Sequence, residues 1–146
     1  MRKYFFVLFI LFSTTLKAQI SATTESPIPT VIGSFYGSGT AELTFIVKNG
    51  KTIYKRNFSD VTKTPAKTSS IEFMETGGAL GSLYDLLKAF FLKENKKNEL
   101  YRKTFKLGET DVACSIFQGV PTQIYFQSSV GSFYLSERHL RKLFGK

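Results

Sequence analysis

The chain has 146 residues, a net charge of +9 at pH 7, and only one cysteine and one histidine. A single cysteine excludes an internal disulfide, and the same scarcity excludes zinc or copper sites built from several histidine and cysteine ligands. The basic charge favours anionic partners, although it carries no information about the fold.

The first eighteen residues follow the three-part order of a secretory signal peptide. Met1–Lys3 is positively charged, residues 4–12 (YFFVLFILF) carry no charge, and residues 13–18 (STTLKA) are short and more polar. The apolar run is too short to cross a bilayer as a helix, which takes about 20 residues. The segment resembles bacterial export signals that end in Ala-Gln. We therefore expect cleavage after Ala18 and a protein exported to the periplasm or the cell exterior, with an uncleaved membrane anchor as the alternative.

The remaining chain is expected to form one domain. Residues 19–30 (QISATTESPIPT) are polar and contain two prolines, which predicts a flexible lead-in, and residues 31–146 form the predicted domain. Loss of Arg2, Lys3 and Lys17 leaves seventeen of the twenty basic residues against eleven acidic ones, a net charge of +6. A chain of this size buries about two-thirds of its unfolded surface without disulfides or metals.

The clearest predicted element is a β-hairpin. Residues 41–48 and 51–58 alternate between apolar and polar side chains and flank Asn49-Gly50, the dipeptide favoured in two-residue turns because both positions need a positive φ. The face predicted to meet the core pairs Val47 with Thr52, Phe45 with Tyr54, Leu43 with Arg56, and Ala41 with Phe58. Arg56 is unexpected on that face, so we place it at the rim of the sheet or on the wall of a cavity.

Shorter patterns complete the first half of the chain. Residues 31–39 fit an edge strand or a loop, and residues 71–75 fit a short strand. Leucine and aromatic residues at helical spacing predict a helix over residues 83–94. Ser82 and Asp85 are placed to form its capping box.

The second half predicts four strands over residues 101–107, 112–118, 122–128 and 132–135, joined by short turns that favour an antiparallel meander. A short helix follows, with Ser136 as its N-cap. We therefore predict an α+β fold: a mainly antiparallel sheet, made of the N-terminal hairpin and this four-strand meander, packed on one central helix, with a short C-terminal helix. Gly33-Ser-Phe-Tyr36 recurs as Gly131-Ser-Phe-Tyr134, through chance or through a duplicated half-domain.

No catalytic constellation is visible. The candidates are Glu75, Asp85 and His139, and the pattern explains them as a solvent-exposed glutamate, a helix cap and a solvated helix face. Cys114 lies in an alternating apolar stretch, where we expect a small buried hydrophobe rather than a reactive thiol. We accordingly predict no enzyme activity, no metal and no cofactor.

Two places could bind an anion. Lys96, Lys97, Arg102 and Lys103 lie close together with Tyr101 among them, and basic residues interleaved with aromatic ones can hold polyanions. A solvated charged turn is the alternative.

Gly77 and Gly78 precede the predicted helix, where backbone N–H groups can hold an anion. The surrounding residues match neither the dinucleotide-binding nor the P-loop pattern, and a flexible connection between strand and helix is the alternative.

Two functions from different classes remain. The first is an exported, non-catalytic binding domain for another protein, including an envelope protein, or for an anionic envelope component; nucleic acid is not expected as a partner. The second is a carrier of a hydrophobic small molecule in a cavity between helix and sheet. Its predicted lining comprises Phe45, Tyr54, Tyr125 and Phe133.

Overall fold

The structure, a computed structural model, describes residues 27–36 and 40–146. The predicted signal peptide, residues 1–18, lies outside the described residues, and of the lead-in only residues 27–30 are described. The elements are β1 (Thr30–Phe35), β2 (Ala41–Lys48), β3 (Lys51–Asp60), β4 (Lys67–Met74), α1 (Ala79–Lys88) continued by a 3₁₀ turn (Ala89–Phe91), β5 (Arg102–Leu107), β6 (Thr110–Phe117), β7 (Gln123–Ser128), β8 (Gly131–Ser136) and α2 (Glu137–Leu143).

The eight strands form two antiparallel sheets, with the orders β1-β2-β3-β4 and β5-β6-β7-β8. Together with α1 and α2 they make an α+β fold, as predicted, although the hairpin and the meander lie in two separate sheets rather than in one. The hairpin register is confirmed at all four predicted pairs. Asn49 and Gly50 have φ values of 53° and 71°, the positive values that the turn requires. The C-terminal meander is confirmed as well, with strand ends shifted by one or two residues.

The first sheet is larger than predicted. Residues 30–35 form an edge strand on β2, and β4 begins at Lys67, four residues before the expected start at Ile71. The extra residues of β4 are polar and pair with the end of β3, from Asn57 opposite Ser70 to Asp60 opposite Lys67. Pairing with β3 therefore defines the full length of β4, whereas side-chain alternation predicted only its apolar end.

The start of α1 corrects a second prediction. The helix begins at Ala79 rather than Leu83, and Gly78 lies at its N-cap without a side-chain hydrogen bond. The Glu75 carboxylate accepts hydrogen bonds from the backbone N–H groups of Ala79 (2.8 Å) and Leu80 (3.5 Å). The predicted capping box of Ser82 and Asp85 is wrong, because a carboxylate before the helix already bonds the free N–H groups at its start.

The apolar faces of both sheets and both helices share one core. Phe58 on β3 contacts Phe133 on β8, with ring centroids 4.7 Å apart. The Ser132 N–H donates to the Asp60 carboxylate (3.1 Å), and the Val61 N–H donates to the Ser132 carbonyl (2.9 Å). The end of β3 is therefore hydrogen-bonded to β8, which joins the two sheets at one corner.

Each half of the fold has four strands followed by a helix. The short repeat seen in the sequence does not follow this arrangement, since Gly33–Tyr36 begins within β1 and Gly131–Tyr134 lies in β8. The two copies therefore occupy non-equivalent places. None of the helices that the structure describes is long and apolar enough to cross a membrane.

Candidate binding surface

A row of four residues crosses the outer face of the second sheet. The strand registers place Arg102 opposite Ser115, Ser115 opposite Tyr125, and Tyr125 opposite Tyr134. Three strand spacings of about 4.8 Å make this row about 14 Å long. It therefore brings one of the predicted basic residues into line with two tyrosines.

The aromatic part of this surface is continuous. The ring of Tyr134 lies 5.1 Å from that of Tyr125 and 5.0 Å from that of Phe117. Phe117 is 46% exposed, and the two tyrosines are half-buried. Successive side chains of a strand point to opposite faces, and the neighbours of these residues within β6, β7 and β8 are buried in the core, namely Ile116, Ile124, Phe126, Phe133 and Leu135. We name Arg102, Phe117, Tyr125 and Tyr134 the aromatic face.

The charged turn, residues 92–101 between α1 and β5, borders the aromatic face. The Gln118 side chain, next to Phe117, donates a hydrogen bond to the backbone carbonyl of Lys96 (3.1 Å). Lys96 and Lys97 are both exposed. The turn is further held by backbone hydrogen bonds, including Lys96 N–H to Leu92 and Tyr101 N–H to Asn98. Two of the predicted basic residues are therefore placed beside the aromatic end of this surface.

Lys103 lies differently from its neighbour Arg102. Successive residues of β5 point to opposite faces, and the Lys103 ammonium lies 5.5 Å from the centroid of the Tyr101 ring. Across residues 27–36 and 40–146, ion pairs within 4.0 Å join Lys55 to Glu72 and Lys106 to Asp111, and no others are formed. The four predicted residues are thus exposed cations without a carboxylate partner in the described part of the chain.

Gly77 and Gly78 are exposed and have φ values of 59° and 77°. The N–H groups that follow them donate to Glu75, whose pKa is lowered first by a hydrogen bond from the Tyr54 hydroxyl and also by these backbone donors. Burial raises the pKa of Tyr54, as does its contact with Glu75. An external anion at this helix start would have to displace the carboxylate of Glu75.

Two of the three candidate catalytic residues make structural contacts, and the third is exposed to solvent. Glu75 bonds the start of α1, and Asp85 is exposed on the same helix. His139 is half-buried with its ring stacked on Phe35, which corrects its expected place on a solvated face. The Cys114 thiol is buried as predicted, and burial raises its pKa to about 12. No group of three or more potential metal ligands occurs within the described ranges.

The aromatic residues expected to line one cavity are separated. Phe133 is buried in the core, whereas Tyr125 lies on the opposite face of the same sheet, because the register pairs it with Tyr134. Phe45 and Tyr54 pack together at the first sheet, with ring centroids 6.5 Å apart. Tyr125 was placed inside because the sequence shows alternation without showing which alternate residues face the core.

A groove between α1 and the strands β4 and β5 has an interior volume of about 460 Å³. Its apolar lining includes Phe73, Leu83, Leu86, Phe105 and Leu107. This groove lies between a helix and a sheet, as the carrier hypothesis requires, although its walls differ from those predicted.

No protein-family profile, no curated protein and no solved structure matches this chain. The surfaces described above therefore carry the functional proposal.

Proposed function

We propose that this protein is an exported, non-catalytic binding domain that holds an acidic polysaccharide of the cell envelope on the outer face of its second sheet. The observation that carries the proposal is the cross-strand row that places Arg102 in line with Tyr125 and Tyr134. Lys96 and Lys97 border the same surface through the hydrogen bond of their turn to Gln118.

The chemistry of this surface favours a chain that offers both negative charge and flat ring faces. Exposed cations without carboxylate partners attract a polyanion from a distance, and their attraction weakens with added salt. Aromatic rings add apolar contact area at low entropic cost. A lipid head group supplies the charge but no series of rings. The signal-peptide pattern supports a location where envelope polysaccharides are found.

The first test measures affinity for alginate, a polymer of uronic acids, against neutral dextran. Residues 19–146 should bind alginate with an affinity that falls steeply as sodium chloride rises from 20 to 300 mM, and should not bind dextran. Vesicles of phosphatidylglycerol and single-stranded oligo(dT) serve as competing anions. Preferred binding to either, or affinity unaffected by salt, contradicts the proposal.

Charge-reversal variants locate the site. A variant with Lys96, Lys97 and Arg102 all changed to Glu should lose alginate binding, because repulsion replaces attraction at the surface. The matched control changes Lys48, Lys51 and Lys63, three exposed lysines of the first sheet and its loops, to Glu. Both variants have the same net charge, so equal losses would show that overall charge rather than this surface binds the polymer.

The aromatic contribution is tested separately. Tyr134→Ala should weaken alginate binding by about two- to tenfold while leaving the salt dependence unchanged, since aromatic contact is worth roughly 0.5–1.5 kcal/mol. Tyr36→Ala is the control, because Tyr36 is 74% exposed and lies beyond the end of β1 in the first sheet. Equal affinity of both variants and the parent protein for alginate would show that Tyr134 does not contribute to binding.

The groove under α1 favours a second candidate, a carrier of a hydrophobic small molecule. Its volume and its apolar lining resemble those of small-ligand pockets, which commonly span about 300–1,000 Å³. A native mass spectrum of residues 19–146, gently purified after export, should show added mass if this function holds. Leu86→Arg should then abolish the added mass, whereas a spectrum of the protein alone argues against a carrier.

A further inference from the structure

Arg56 is the most unusual residue of the core. It lies on β3 between Leu43 of β2 and Ile71 of β4, and only 1% of its surface is exposed. Its three side-chain nitrogens have no hydrogen-bond acceptor among the described residues. A guanidinium group carries five N–H donors, and buried polar groups of this kind are almost always bonded.

The surroundings of Arg56 compensate its charge only in part. The guanidinium carbon lies 3.9 Å from the ring centroid of Phe133 and 5.0 Å from that of Phe126. A desolvated cation–π contact offsets only part of the free energy that it costs to remove a charged group from water. The rings also offer no lone pairs to the N–H groups.

Neither Asp60 nor Cys114 supplies the missing negative charge. Asp60 lies on the same strand, but its carboxylate accepts hydrogen bonds from Thr62 and Ser132. The thiol of Cys114 interacts electrostatically with Arg56, yet burial raises its pKa to about 12 and keeps it neutral near pH 7. Burial lowers the pKa of Arg56 to about 9, so its guanidinium stays positively charged at neutral pH.

We infer that Arg56 forms an interior binding site, between the two sheets, for one small monovalent anion of halide size. One buried positive charge is neutralised by one negative charge, and the N–H donors acquire an acceptor. The anion must be small because the residues around the guanidinium are almost completely shielded from solvent. Leu43, Phe58, Ile71 and Phe126 are each at most 1% exposed. The anion stabilises the contact between the sheets by binding only the folded state.

The test measures the thermal midpoint of residues 19–146 in sodium chloride, bromide or fluoride at one ionic strength. Replacing fluoride by increasing fractions of chloride or bromide at that ionic strength should raise the midpoint progressively, because fluoride is the costliest of the three to dehydrate. Arg56→Met should abolish this response. Lys51→Met, which removes an exposed charge from the same strand, should retain it.

Arg56→Met is expected to fold, because replacing a buried charge by an apolar side chain of similar length is often neutral or stabilising. In fluoride the variant should match or exceed the stability of the parent protein, and in chloride the parent should gain relative to it. A bromide-soaked crystal should show an anomalous peak within hydrogen-bonding distance of the guanidinium. Equal halide responses in both proteins, or the absence of that peak, would overturn the inference.

Discussion

His139 lies on α2 with its ring parallel to that of Phe35, at an interplanar angle of 3° and a centroid distance of 4.2 Å. Burial lowers its pKa below 6.5, and the positive charges of Lys142 and Arg138 lower it further. The unfolded chain therefore binds the proton more tightly than the folded chain does. The contribution of His139 to the free energy of unfolding is therefore constant above pH 6.5 and falls as the pH drops below that value.

The expected result is a thermal midpoint that decreases between pH 7.0 and pH 5.5, with a smaller decrease in His139→Gln. His139 is the only histidine of the chain, so no second imidazole contributes in this range. Asp60 and Glu75 also have lowered pKa values, but from 3.8 and 4.5, and they act at lower pH. An identical midpoint-versus-pH curve for both proteins would contradict the stacked, partly desolvated histidine.

Single residues also show where local patterns were informative. Alternation along β3 placed Arg56 on the core-facing side of its sheet, and alternation along β6 placed Cys114 in the interior; both residues are buried. The expected position of Arg56 at the rim of the sheet is wrong, because only 1% of its surface is exposed. The absence of an acceptor for Arg56 could not be deduced, because it depends on which side chains of β7 and β8 lie opposite. Those contacts join residues about 70 positions apart in the chain.

The start of α1 gives a prediction at the scale of one element. Glu75→Gln should lower the thermal midpoint, because a neutral amide interacts less favourably with the positive end of the helix and with its free N–H groups. Ser82→Ala should have little effect, since Ser82 is exposed within the first turn and is not the cap. A larger decrease in the thermal midpoint for Ser82→Ala than for Glu75→Gln would instead support the capping box predicted from the sequence.

Elements with a strong local signal were predicted most accurately. The Asn49-Gly50 turn fixes the register of β2 and β3 through backbone conformation, and Ser136 accepts the hydrogen bond of an N-cap from His139 N–H. The polar half of β4 and the first turn of α1 were missed. Both are stabilised by partners outside the segment, namely the end of β3 and the Glu75 carboxylate.

At the scale of the whole molecule, the shared core predicts one cooperative unfolding transition. Far- and near-ultraviolet circular dichroism should report the same midpoint for residues 19–146. A fragment of residues 93–146 should remain unfolded, because the first sheet covers the inner face of the second and a chain of this length buries too little surface alone. A fragment that unfolds cooperatively would divide the chain into two domains and contradict the predicted single domain of residues 31–146.

The candidate surface contains some residues that are close together in the sequence and others that only the strand registers bring beside them. Lys96, Lys97 and Arg102 were selected as a basic cluster by their spacing. Tyr125 and Tyr134 joined them because the pairing of four strands aligns them with Arg102. Lys103 was selected for the same reason as Arg102, yet the alternation of β5 turns it to the other face of the sheet.

The α+β class, the hairpin register, the C-terminal meander and the buried state of Cys114 followed from sequence, because turn conformation, side-chain periodicity and helix capping act over a few residues. The division of the strands into two sheets, the partnerless state of Arg56 and the outward placement of Tyr125 were decided by tertiary structure. Each of these depends on which face of one element meets another. That choice is made by the burial of the whole core, to which every strand and both helices contribute at once.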